Sequence, residues 1–163
     1  MTNGVTPRRW LALANPPLNQ LLEQQLGEGW PGQGDALARL EVVAHDAGFQ
    51  EQWAGCKLHC KRRLAAIIHQ QTGLLVDPTS LFDVQVKRIH KYKSLRIKQG
   101  DSAGLAPRTV VFGGKAAPGY FTAKLIIRLI NGIADVVNRD PACRVLLQAA
   151  FLADYDVKLG ERV

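Results

Sequence analysis

The 163-residue sequence has no apolar run long enough to cross a bilayer, which takes about 20 such residues in a helix. Its first residues, MTNGVTPRRW, lack the apolar stretch of a secretory signal peptide. Cysteine is scarce and odd in number, with three in the chain. Cys56 and Cys60 fall on one helix-like segment, which is no disulfide framework and suits a reducing compartment. These absences predict a soluble, cytoplasmic protein. Low-complexity tracts and internal repeats are missing as well. With 47% apolar and 21% charged residues, disorder is not the default reading and one ordinary domain with a real core is expected.

Several catalytic signatures are absent. There is no G-x-x-x-x-G-K-[ST] phosphate loop and no G-x-G-x-x-G dinucleotide fingerprint. G-x-S-x-G, H-E-x-x-H and DFG-type patterns are missing too. Cys56, His59 and Cys60 are zinc-type ligand residues, but a single helix face supplies them and no second Cys/His pair at finger spacing is present. They read better as cysteines of a helix stripe. No metal is expected. His45 and His69 lie on helical segments and read as surface or hydrogen-bonded residues.

Acid is missing where base is concentrated. Between Asp83 and Asp101 there is no acidic residue, and Val86–Lys98 holds Lys87, Arg88, Lys91, Lys93, Arg96 and Lys98. Six of the 21 Lys and Arg residues are therefore in this stretch, and the other 15 face 14 acids. The net charge of +7 is nearly all local. Such a patch suits a phosphate or carboxylate ligand or nucleic acid, and equally a solvated basic loop.

Helical spacing of Leu18, Leu21, Leu22 and Leu26 predicts a helix over 15–27, closed by Gly27. A second is predicted over 34–48, with Asp35 as a cap and Leu37, Leu40, Val43 and Ala44 on one face. A third, over 48–73, carries Phe49, Trp53, Cys56, Cys60, Leu64, Ile67 and Ile68 and ends at Gly73. The texture then changes. Residues 77–89 alternate as a strand, and 107–114 form a compact β-branched run expected to be buried on both faces. A helix is predicted over 118–141, with Leu125, Ile126, Leu129, Ile130, Ile133 and Val137 as its core face and Pro141 as its end. A third strand is expected over 143–151.

Strand, connector, strand, helix, strand predicts an α/β fold with a parallel sheet. Ligands of such sheets sit beyond the carboxyl ends of the strands. Both KRIHKYK (87–93) and GGKAAPGY (113–120) come directly after strands and so fall on that edge. The glycines of GGKAAPGY would let backbone amides approach an anion at a helix N-terminus. A tight strand-to-helix turn explains them equally.

TNGVTPRRW (2–10), SLFDVQVKRIHKYK (80–93), RTVVFGGKAAPGYFTAKLIIRLINGIADVVN (108–138) and FLADYDV (151–157) together resemble the glycogen/α-glucan phosphorylase family. The likeness covers essentially the whole chain, mainly as pattern over residues 28–72. It implies a partial Rossmann-like (GT-B type) parallel sheet preceded by a helical segment. Residues 1–163 would be part of the family's C-terminal domain, with 1–75 a mainly helical lead-in and 76–163 a βαβ core. The implied activity is phosphorolysis of terminal α-1,4-linked glucose by inorganic phosphate, giving glucose-1-phosphate with pyridoxal phosphate as cofactor. By the same resemblance Arg88 and Lys93 would hold the substrate phosphate. Lys87, Trp10 and Tyr155 would contact the cofactor, Asn3 would lie beside the sugar, and Tyr92 would line the same substrate site as Arg88 and Lys93.

Two departures from the family pattern stand out. The Schiff-base lysine of the family has no counterpart among these residues, and Lys115 lacks its context. The N-terminal domain's share of the glucan site is likewise not in the sequence. The connection after Lys93 is also short by roughly a dozen residues, about three helical turns, which would uncover one face of the sheet. Asp156 adds an acid near the expected phosphate region. The expectation is thus a truncated phosphorylase that is inactive alone or works with a complementing chain. The alternatives are a non-catalytic remnant binding phosphate, phospho-sugar or nucleic acid, and a functionless fragment with an open sheet face. Tyr92 is the lone aromatic near the basic stretch, which argues against nucleic-acid stacking.

Overall fold

A computed structural model of the protein describes residues 6–86 and 106–163. They form two compact units that part between Arg62 and Arg63. The first unit opens with a π-helical stretch, Arg8–Leu13, and continues into α1 (Pro16–Leu26). Asn15 caps α1 by accepting the N–H of Leu18 at 3.2 Å, and prolines occupy the first helical positions, where no donor is needed. Leu22, Leu26, Trp30 and Ala36 are the buried centre of this unit. The Trp30 indole N–H donates to Asn19 Oδ1 at 3.1 Å, so the ring is buried without stranding its donor.

The helix expected over 34–48 is instead a 3-10 helix, Ala36–Val43. Its apolar residues explain why. Leu37, Leu40 and Val43 recur every third position, the period of a 3-10 turn. Asp35 makes no side-chain cap, and Leu37 and Ala44 are exposed rather than on a core face. Arg39 ties the segment back by donating to the carbonyl of Leu26 at 3.2 Å.

Helix α2 (Ala47–Thr72) begins where Asp46 accepts the N–H of Phe49 at 2.7 Å. It stops at Gly73, whose φ of 72° is unfavourable for any residue with a Cβ. Phe49, Leu64 and Ile68 are buried as the spacing predicts, while Trp53, Cys56, Cys60 and Ile67 are half-buried.

The second unit is an α/β layer. Strands β1 (Leu81–Val86), β2 (Arg108–Gly113) and β3 (Leu147–Leu152) form a parallel sheet in the order β1-β2-β3. The strands are shorter than the alternation suggests. Asp77 draws in the N–H and hydroxyl of Thr79 and holds 77–80 in a turn. Asp140 accepts the N–H groups of Ala142 and Cys143 and delays β3 until Leu147. One sheet face packs Val111, Ala150 and Leu152 on Leu64 and Ile68 of α2, with Phe82 and Val84 at the margin. On that face Thr109 is fully buried and bonds Ser80 at 2.7 Å. Ser80 gives its own proton to the carbonyl of Asp77, so Thr109 is the donor.

Helix α3 (Phe121–Arg139) joins β2 to β3 and packs on β3. Ala123, Ala134 and Val137 are its buried residues. Leu125 and Leu129, expected in the core, are 47% and 61% exposed. The helix has apolar residues on more of its surface than one sheet face covers. Leu125, Leu129, Ile133 and Val136 line an open groove of about 720 Å³ along it. On the same unit, Leu81 and Gln85 of β1 are exposed, and Asp83 pairs with Arg108 at 2.9 Å in a half-exposed salt bridge. Among the described residues no helix is long and apolar enough to cross a membrane.

Asn138 closes the free edge of β3. Its amide donates to the carbonyl of Ala149 at 2.8 Å and accepts the N–H of Ala149 at 3.0 Å, standing in for one rung of a further strand. Asn138→Leu removes both bonds and leaves a buried residue's backbone unpaired, for a loss of about 1–3 kcal/mol. Urea denaturation of the variant should show a lower midpoint; an unchanged midpoint would mean that water replaces the amide at no loss.

Candidate functional site

The parallel register brings three chain ends to one edge. Val86 pairs with Gly113, and Gly113 with Leu152, so all three strands finish at the same level. Each strand therefore delivers its outgoing chain to one rim. After Val86 comes the basic stretch; Lys87, Arg88, Tyr92 and Lys93 lie outside the described residues, as does Asn3. After Gly113 the chain turns through Gly114–Tyr120, with the N–H of Tyr120 bonded to the carbonyl of Ala117 at 2.9 Å. Lys115 is exposed on this turn. Among the described residues no side-chain cap is seen at the N-terminus of α3. After Leu152 the chain reverses at Asp154, whose φ of 52° is unusual outside glycine.

That reversal carries Tyr155 back over the rim. A Cβ on Gly113 would stand 3.0 Å from Tyr155 Cδ2 and 3.0 Å from Val86 Cγ1. The tyrosine ring thus lies against the bare Cα of Gly113. Tyr155 is half-buried, and burial, with a smaller contribution from the neighbouring Asp156 charge, raises its phenol above the ordinary value of 10.0. It is a neutral donor at any physiological pH. Asp156 accepts the N–H of Leu159 at 2.8 Å and caps α4 (Val157–Gly160). The acid expected to disturb a phosphate region is thus engaged in a helix cap.

Trp10, the other cofactor residue implied by the resemblance that is described, is half-buried in the π-helical stretch of the first unit. His59 is exposed, and Cys56 and Cys60 are half-buried. Among the described residues no three His, Cys, Asp or Glu side chains stand close enough to hold a metal. In sequence the glycines of GGKAAPGY suit an anion cradle and a tight turn equally. The structure adds a reason for the first of them, which is room for a tyrosine ring. A glycine as the last residue of a strand buried on both faces was the available signal.

The family described as carbohydrate phosphorylase matches residues 1–163. The chain belongs to the carbohydrate phosphorylase family. It is 52% identical to the glycogen phosphorylase of Synechocystis sp. over 99% of this chain and 20% of that protein. Identity to the Chlamydia pneumoniae glycogen phosphorylase is 44%, over all of this chain and 21% of the relative. To the muscle form of Homo sapiens it is 43%, over 99% and 21%. The chain thus spans about a fifth of the length of the curated phosphorylases it matches. The Synechocystis alignment runs over 174 positions against 163 residues here, so at least 11 positions of that phosphorylase have no counterpart in this chain. That number is close to the dozen residues by which the connection after Lys93 departs from the family pattern.

The buried phenol makes stability depend on alkaline pH. Both folded and unfolded chains hold the Tyr155 proton below the ordinary value of 10.0, so its contribution is fully present there. Above it the unfolded state loses the proton first, and stability falls until pH passes the raised folded value. Urea midpoints measured from about pH 9 to 12 should fall more steeply for the wild-type chain than for Tyr155→Phe. Parallel slopes would mean that the ring titrates as a solvated tyrosine.

Proposed function

We propose that these residues form the phosphate-handling part of an α-glucan phosphorylase, corresponding to the first half of its cofactor-binding C-terminal domain. Residues 1–75 are the helical lead-in and 76–163 the βαβ core of that domain. The reaction is transfer of a terminal α-1,4-linked glucose from a glucan to inorganic phosphate, giving glucose-1-phosphate. Pyridoxal phosphate, when bound, supplies a phosphate group that exchanges a proton with the substrate phosphate. The observation that carries the proposal is the common rim. β1 ends at the edge where Gly113 and Tyr155 meet, and the six cations of Val86–Lys98 follow it in sequence.

The chemistry asks for that charge. Two phosphates in contact repel, by about 3 kcal/mol for single charges ~5 Å apart at an effective dielectric of ~20. Lys87 offsets the cofactor phosphate as a point charge, and Tyr155 donates a neutral hydrogen bond to it. Arg88 and Lys93 hold the substrate phosphate, the guanidinium through paired N–H donors. By the family resemblance Trp10 lies beside the cofactor, Asn3 beside the sugar, and Tyr92 lines the substrate-phosphate site. The donor set suits such a group: cations that follow β1 in sequence and a neutral phenol on the rim, with the nearby Asp156 carboxylate already bonded to a backbone N–H.

Turnover needs more than these 163 residues. No lysine among them stands in the Gly/Ser/Thr-rich setting of the family's Schiff-base lysine, so a complementing chain or the further length of its relatives must supply it. Phosphate binding without turnover is therefore expected of this chain alone.

The test is to add pyridoxal phosphate, inorganic phosphate and glycogen to the purified chain, assay glucose-1-phosphate, and measure phosphate affinity by calorimetry. The expected result is no product, with phosphate affinity at least about ten-fold weaker in Lys87→Ala/Arg88→Ala, as two charge-assisted bonds are lost. Product that disappears in the double variant would overturn the need for a further lysine. Equal phosphate binding by both chains would overturn the assignment of the basic stretch. A steep loss of binding to mixed oligonucleotides with salt, with no phosphate binding, would mark a nucleic-acid remnant instead.

A further inference from the structure

Gly113 is buried at the carboxyl end of the central strand. Its backbone does not require glycine: the described glycines with positive φ are Gly27, Gly29 and Gly73. Space is what the position requires. A Cβ there would be 3.0 Å from Tyr155 Cδ2, 3.5 Å from Tyr155 Cγ and 3.0 Å from Val86 Cγ1. Carbon atoms in good contact stand about 3.5–4.0 Å apart, so one added methyl forces the ring or the valine to move by about 0.5 Å or more.

Neither neighbour yields freely. Val86 is locked in strand register opposite Gly113 and is stiff about its first side-chain torsion. Tyr155 is fixed on both sides along the chain. Asp154 holds the left-handed turn before it, and Asp156 is bonded to Leu159 after it. Its ring is half-buried against the rim, and that burial is the main cause of its raised phenol.

We propose that Gly113 is a positioning residue whose bare Cα seats the Tyr155 ring on the rim and so sets where the phenol meets the cofactor phosphate. The second half of this statement rests on the assignment of Tyr155 to the cofactor made above; the first half does not. Gly113 touches no ligand in this scheme and acts through the ring. Displacements near 1 Å at a binding group are enough to lower function by as much as 100-fold.

The experiment uses the whole chain with its tyrosines labelled by ¹³C at ring Cζ. Tyr92, Tyr120 and Tyr155 are the three tyrosines, and Tyr155→Phe assigns the third resonance. Gly113→Ala should bring the titration of Tyr155 down toward its ordinary value, while amide spectra remain those of a folded chain. Adding Val86→Ala, which removes one of the two obstructing neighbours, should restore part of the shift. This double variant also serves as the comparison where the single one does not fold. An unchanged Tyr155 titration in a folded Gly113→Ala chain would overturn the seat. Pyridoxal phosphate affinity, followed by its own absorbance, supplies the second readout. Gly113→Ala should weaken it about ten-fold or more in the wild-type background and not at all in the Tyr155→Phe background. Equal losses in both backgrounds would overturn action through the phenol. A Tyr155→Phe chain that binds pyridoxal phosphate like wild type would instead overturn the cofactor assignment, with the titration still deciding the seat.

Discussion

The constraint on which the second unit depends is the parallel pairing of β2 on both sides. A strand with partners on both edges has no open backbone edge, and the face carrying Thr109 and Val111 lies inside the core. That explains why Thr109 and Val111 are fully excluded from water, why Thr109 needs the Ser80 hydroxyl, and why Phe112, Gly113 and Gly114 are also buried. Parallel pairing also dictates polarity. The carboxyl ends of the three strands share one rim, so the end of β1, one glycine turn and one tyrosine become neighbours of a common edge without any long-range sequence signal saying so.

The edges of the sheet show how narrowly this arrangement is held. Among the described residues β3 has β2 on one side, and an asparagine amide from α3 occupies the Ala149 rung on the other. β1 keeps its outward positions wet, with an exposed Leu81 and Gln85 and a half-exposed Asp83–Arg108 pair. Such an ion pair contributes little to stability at its exposure. It does place charge along an edge that would otherwise invite pairing with another chain. The exposed Leu125 and Leu129 of α3 belong to the same unit, so its uncovered area lies on helix and strand alike.

Element type and order were legible because alternation and helical spacing are properties of short windows. The parallel sheet came from the order alone. Boundaries were less legible wherever a side chain competes with the ladder for backbone donors. Asp77 and Asp140 each hold a turn that takes residues from the predicted strand. Residues 36–43 look α-helical in sequence because Leu37, Leu40 and Val43 also fit a face of that helix; the strict interval of three is the sign of the tighter turn. On α3 the spacing shows apolar residues but not which of two stripes meets the sheet, since both have the same period. In the candidate site, the long motifs pointed to the family, whereas the role of Gly113 depends on a residue 42 positions later in the chain and is visible only when the rim is assembled.

An anion site on the rim, as proposed, accounts for the kind of tyrosine found there. A phosphate site gathers cations, and an ionised neighbour of the wrong sign would cancel them. A phenol avoids this if it keeps its proton. Burial against Gly113 and the charge of Asp156 both act in that direction, so Tyr155 offers a donor and no charge. Asp156 itself is near enough to act on the phenol, yet its carboxylate is bonded to the N–H of Leu159. One acid thus caps a short helix, anchors the backbone beside the tyrosine and helps hold the phenol neutral. Removing Asp156 would loosen all three, so this acid is compatible with the proposed phosphate site rather than opposed to it.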